Sequence, residues 1–119
     1  MNVLVEKDSR LKTSYLTDDL LNYVINKIVS FIHPVKIILF GSYAKGYADR
    51  DSDLDLLVVN DSSRGNQEIR REIDRLLTGR RFGIDVIVRR PEEIAENLKD
   101  GNPFYLYHIF KYGKVIYER

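Results

Sequence analysis

The segment Phe40-Gly41-Ser42-Tyr43-Ala44-Lys45-Gly46 is followed, after the ten residues Tyr43 to Ser52, by Asp53-Leu54-Asp55-Leu56. Immediately upstream, Val35 to Phe40 is almost continuously apolar, which predicts a strand covered on both faces. Gly41 then lets the backbone turn tightly and come close to a ligand. Ser42 offers a hydroxyl and a backbone amide at the start of a short helical turn, a site suited to an anion. Lys45 adds a positive charge, and Gly46 releases the chain. Asp53 to Val59 predicts a second strand, and residues two apart on a strand point to one side, so Asp53 and Asp55 share a face. Two carboxylates about 5 Å apart repel by roughly 3 kcal/mol at an effective dielectric near 20. Such a pair favours exposure, a shared proton or a bound cation. With no Cys or His nearby, its oxygen donors suit Mg²⁺ or Mn²⁺. A third acid, Asp85, sits within Gly83-Ile84-Asp85-Val86-Ile87-Val88, a predicted third strand. An acid inside an apolar strand is costly unless it is paired or metal-bound. Pairing with Arg81, Arg89 or Arg90 is one reading; convergence with Asp53 and Asp55 is the other.

Outward from this centre, Thr17 is placed to cap a helix whose apolar residues run from Leu20 to Ile32 at helical spacing, with Asp18 and Asp19 favourable in its first turn. Pro34 ends that helix, and His33 reads as its C-terminal residue. Gly65 opens a helix through about Leu77, with Ile69, Ile73, Leu76 and Leu77 on one stripe. Pro91 starts a short helix over Glu92 to Leu98. Asn102, Pro103 and Gly113 frame a last helix, and Val115 to Tyr117 reads as a closing strand. Met1 to Tyr15 reads as an arm or a short edge strand. The order predicts an α/β or α+β fold, a small mixed sheet flanked by helices.

The 119 residues fit one domain, and 44% apolar with 31% charged residues is the profile of a globular protein. Absence of cysteine excludes disulfides, cysteine-zinc sites and thiol nucleophiles. Nineteen basic against 18 acidic residues, net +1, argue against strong DNA binding by bulk charge. Neither a signal-peptide core nor an apolar run of the roughly 20 residues that span a bilayer is present, so the expectation is a cytoplasmic protein. Residues 64–90 carry eight arginines and four acids, net +4. The segment is expected to be a solvated helix with internal charge pairs, Arg71 and Arg75 offset by Glu68 and Glu72, rather than a docking face for an acidic partner or RNA. Phe104, Tyr105, Tyr107, Phe110 and Tyr112 crowd the last helix and stand evenly between core and partner surface. His108 is expected to be a partly buried packing residue.

Gly-Ser, ten residues, Asp-x-Asp and a third acid in an apolar strand together resemble the nucleotidyltransferase superfamily typified by DNA polymerase β. The resemblance runs from about Val35 to Arg90 and is closest to the minimal nucleotidyltransferases paired with HEPN-domain toxins. It implies a polymerase β palm-like fold in which Gly41 and Ser42, with Lys45, bind the nucleoside triphosphate. Asp53 and Asp55 would hold two divalent ions, Mg²⁺ or Mn²⁺, and Asp85 would complete the site near the attacking hydroxyl. The reaction implied is transfer of a nucleoside monophosphate, AMP from ATP, onto a tyrosine of a HEPN toxin, with this chain as the antitoxin in a hetero-oligomer. Many relatives carry Arg where Lys45 stands, and Lys lacks the bidentate fork. Only about thirty residues follow Asp85, which leaves little for a small-molecule pocket; hence the expectation that a partner completes the acceptor site. The alternatives are a non-enzymatic module that neutralises its partner by covering it, and a transferase acting on a small molecule such as an aminoglycoside.

Overall fold

The computed structural model describes residues 9–12, 16–49 and 51–119. Most of the expected arm or edge strand over Met1 to Tyr15 lies outside the described residues. Its described part is one 3-10 turn, Ser9–Leu11, whose Leu11 is fully buried. Helix α1 spans Asp18–Ile32, and the Thr17 hydroxyl accepts the Leu20 amide at 3.1 Å as its cap. It ends where His33 takes up the left-handed conformation ahead of Pro34, which cannot continue a helix. Strand β1 (Lys36–Phe40) is followed by the single turn α2 (Ser42–Lys45), then β2 (Leu54–Val59), α3 (Asn66–Leu76), β3 (Ile84–Arg89) and α4 (Pro91–Lys99). A π-helix over Phe104–Lys111 and strand β4 (Lys114–Glu118) complete the order. No helix among the described residues is long and apolar enough to cross a membrane.

The sheet runs β3-β2-β1-β4. β1 is antiparallel to β2 and β4, whereas β2 and β3 are parallel, which requires a crossover that α3 supplies. This mixed sheet with helices on both sides is the α+β architecture the element order predicts. Alternation along the strands divides the apolar residues between its faces. Ile37, Leu39, Leu54, Leu56, Val58 and Val88 pack with Val24 and Ile28 of α1 and Ile69 and Ile73 of α3. Ile38, Phe40, Leu57 and Val59 pack on the other side with Ile94 of α4 and Tyr105 and Ile109 of the π-helix. The near-continuous apolar run of β1 follows from this: the strand is central and covered twice.

Two expectations need correction, and the last helix takes a form the sequence does not specify. The last helix has the wide π form, with i→i+5 bonding, not the α form. Only Tyr105 and Ile109 of it are buried, while Phe104, Leu106, Tyr107 and Phe110 are exposed, as is Tyr112 beyond it. His108 is likewise exposed, tilted against the Phe104 ring at 5.8 Å rather than packed inside. The arginines of residues 64–90 follow the expected helical pattern only in part: Arg75 stands 3.8 Å from Glu72, but Arg71 is offset by neither glutamate. Arg64, which precedes α3, takes both Glu68 and Glu72, and Arg80 takes Asp74 at 2.8 Å. Arg70 and Arg71 make no ion pair with any described residue.

Candidate active site

The acids gather at one end of the second sheet face, and strand register places them. Asp55 is opposite Phe40 on β1 and opposite Asp85 on β3, so the residue before Gly41 and two carboxylates form a row across three strands. Asp53 lies two residues earlier on the same side. It stands just before β2 rather than inside it; the first ladder bond is donated by the Leu54 amide to the Gly83 carbonyl at 2.9 Å. Asp85 is exposed, contrary to the expectation of a costly buried acid, because β3 is the outer strand of the sheet. It forms no ion pair with Arg81, Arg89 or Arg90. Asp53 is also exposed, and Asp55 is half-buried.

Two glycines make room for two of these carboxylates. Gly41 has φ 75°, a conformation that costs a side chain dearly, and a Cβ there would overlap the Asp55 Oδ2. A Cβ at Gly83 would overlap the Asp53 Oδ1. Gly41 was expected to approach a phosphate, and its backbone is also the wall against which Asp55 rests. Gly83 is a site residue that sequence reasoning does not single out, although its spacing of two residues from Asp85 repeats that of Asp53 from Asp55. The loop entering Asp53 is braced by its own polar groups. The Asp49 Oδ1 accepts the Asp51 amide at 2.9 Å and the Ser52 hydroxyl at 3.2 Å, while the Ser52 Oγ accepts the Asp49 amide at 2.9 Å. This Asp-x-x-Ser pattern is a turn signal legible in principle from sequence.

Electrostatics tie the three acids together. The Asp55 carboxyl is pushed up from 3.8 to about 6, first by burial, then by the charge of Asp85, then by that of Asp53. As they stand, no three His, Cys, Asp or Glu side chains among the described residues are gathered closely enough to hold a metal ion. The donor set nevertheless fits one. It is all oxygen, two of its carboxylates rest in glycine cradles, and its central member is strained by like charge that a divalent cation would relieve. Ser42, the first residue of α2, is half-buried beside Gly41. Lys45, at the end of α2, is exposed and sets its ammonium 5.2 Å from the centre of the Tyr112 ring, so it is tied to the segment after the π-helix. Phe40, paired with Asp55, meets Phe104 edge-on at 5.9 Å, and the π-helix thereby borders the acid row.

No curated protein matches the chain significantly. A crystal structure of a candidate nucleotidyltransferase from Sulfolobus solfataricus superposes with a TM-score of 0.56 at 21% identity, covering 85% of this chain and 79% of that one. A chain of a toxin–antitoxin structure with AMP-PNP aligns at a TM-score of 0.47 and 19% identity, over 82% of this chain and 73% of that one. Residues 23–115, which take in Gly41, Ser42 and all three acids, match the nucleotidyltransferase domain family, and the chain belongs to it.

Proposed function

We propose that this nucleotidyltransferase moves AMP from ATP onto a tyrosine hydroxyl of a partner protein, a HEPN-type toxin, and so acts as an antitoxin. The observation that carries the proposal is the row Phe40, Asp55 and Asp85, with Asp53 beside it and Gly41 packed against Asp55, in which burial and mutual repulsion strain the central carboxylate. Gly41 lets the triphosphate approach the backbone, and Ser42 adds a hydroxyl at its side. Lys45 contributes charge to the phosphates once released from Tyr112. Asp53, Asp55 and Asp85 would hold the divalent cations, Mg²⁺ or Mn²⁺, which when bound supply positive charge to the phosphates and to both the entering and leaving oxygens. The acceptor oxygen forms its bond to the α-phosphorus as the bond to the bridging oxygen breaks, and pyrophosphate leaves. The hydroxyl proton passes to the Asp85 carboxylate, which is exposed at the outer strand where an acceptor can reach it.

The partner reading is supported by the border of the site. Phe104 borders the acid row through Phe40, and Leu106, Tyr107, Phe110 and Tyr112 continue an exposed aromatic and aliphatic surface along and beyond the same helix; such residues are enriched in interfaces. The same surface favours a second reading, a module that neutralises its partner by covering it. Transfer of label from α-labelled ATP with Mg²⁺ onto the protein encoded beside this chain separates the two. Label that Asp53→Asn abolishes supports transfer. A stable complex that takes no label from any of the four nucleotides leaves the covering module.

A further inference from the structure

β3 is an outer strand, and among the described residues no strand pairs with its free edge. The Gly83 and Arg89 carbonyls accept the Leu54 and Asn60 amides, both at 2.9 Å, so alternate residues of β3 bond inward to β2. Ile84, Val86 and Val88 therefore direct their amides and carbonyls outward; the Val88 carbonyl accepts the Arg89 guanidinium at 2.8 Å, and the Ile84 and Val86 carbonyls remain open. An edge of this kind is a template for another strand, and unprotected edges are uncommon in proteins that stay soluble.

Along this edge, between β3 and the flank of α3, run two adjoining clefts of about 230 and 250 Å³ that share Arg70 and Val86. Arg70, Arg71, Arg80 and Arg89 line them, against only Asp74 and Asp85. Asp74 is held by Arg80, and Arg70 and Arg71 have no carboxylate partner among the described residues. The second cleft reaches Asp85 itself. Its occupant should thus be extended, acidic and delivered to the acid row. The lining holds no aromatic ring among its residues, whereas single-stranded nucleic acid is held chiefly by stacking on such rings. Apolar Ile84, Val86 and Ile87 with an open backbone suit a peptide that adds as a strand.

We infer that an extended acidic segment of the protein partner docks on the free edge of β3 as a fifth strand, its carboxylates on Arg70 and Arg71 and its course leading to Asp85. The inference rests on the reading that the acceptor is a protein.

The test uses the full chain and a fluorescein-labelled 12-residue peptide alternating Glu and Val around one central Tyr. A Lys-for-Glu version of the peptide and a 12-nucleotide oligouridylate are the controls. Anisotropy should show binding of the acidic peptide, at least tenfold weaker binding of the lysine version, and at least a tenfold loss for Arg70→Glu/Arg71→Glu. Amide hydrogen exchange of Ile84, Val86 and Val88 should slow on binding, and Val86→Pro, which deletes one outward donor, should weaken it. Arg70 and Arg71 are exposed, so their double variant keeps the comparison usable if Val86→Pro does not fold. Peptide binding that leaves those amides unprotected overturns the inference. So does preferential binding of oligouridylate, which would make the cleft a nucleic-acid track. If the peptide protects the edge but its tyrosine takes no label from ATP, docking stands and the tyrosine acceptor falls. If the natural partner is labelled equally by wild type and Arg70→Glu/Arg71→Glu, the acceptor reading stands and docking falls.

Discussion

The two faces of the sheet are built to different degrees of completion. Under α1 and α3, side chains from three strands and two full-length helices close into one core, with Leu54, Leu56, Val58, Ile69 and Ile73 wholly out of water. Under α4 and the π-helix the buried set is smaller, and at the sheet end where Asp53, Asp55 and Asp85 stand it is represented by Phe40 alone. Tyr105 is 5% exposed there, but Tyr107 is 54% and Tyr112 is 48% exposed. Stability is thus concentrated on one face. The other keeps charged and aromatic groups at the surface, where each costs stability or solubility.

This contrast can be broken by substitution, starting with the largest effect. Leu56→Ala on the complete face should cost about 2–5 kcal/mol, and Ile94→Ala on the incomplete face clearly less, as measured by urea denaturation. Equal costs would mean that both faces carry the fold. Asp53→Asn should lower transfer at least about a hundredfold, the scale of losing one electrostatic stabiliser, with its melting temperature unchanged or raised. A variant that keeps its rate would remove Asp53 from the site. Gly41→Ala introduces a side chain at positive φ against Asp55 and should destabilise by about 1–2 kcal/mol. Its ATP affinity, read by calorimetry, should fall as well.

A smaller effect comes from pH. The Asp55 carboxyl titrates near 6 in the folded chain against 3.8 without the fold, so the native state binds more protons between those values. Stability from this group is then greatest below about pH 4, declines as pH rises, and reaches its full penalty above about pH 6. Metal-free wild type should therefore lose melting temperature relative to Asp55→Asn from pH 4 to 7, and Mg²⁺ at pH 7 should narrow the gap. A difference that is flat with pH would show that Asp55 is not strained. Least of all, Tyr107→Ser should stay within about 0.5 kcal/mol of wild type in stability while weakening capture of the partner. A loss of stability instead would place Tyr107 in the core.

What the sequence disclosed follows the range of the interactions involved. The Thr17 cap, the stop at Pro34 and the paired facing of Asp53 and Asp55 depend on neighbours a few residues away, and all are legible. The central position of β1 is legible too, because burial on both faces leaves an unbroken apolar run. Asp85 looks buried in sequence since Ile84, Val86 and Ile87 flank it; that β3 ends the sheet depends on strand order, which no local pattern carries. Gly83 escapes notice because its reason is a carboxylate on the adjacent strand. Arg64 reaches Glu72 eight residues on by approaching from outside α3, beyond the helical spacing rule. The π form of Phe104–Lys111 is hidden because eight residues apolar nearly all round define no period.

The pairing of Phe40 with Asp55, and of Asp55 with Asp85, ties assembly of the acid row to strand pairing itself. A slip of β2 by one residue would turn Leu54, Leu56 and Val58 out of their core onto the face of α4, the π-helix and the acids, and drive Asp55 beneath α1 and α3. The complete face would not tolerate it. Mispaired chains are therefore discarded by instability before they can be inactive, and every chain that folds arrives with its acids already aligned. Mutational drift can be lenient around the acids as long as the opposite face stays strict, because errors in alignment are policed from the far side of the sheet.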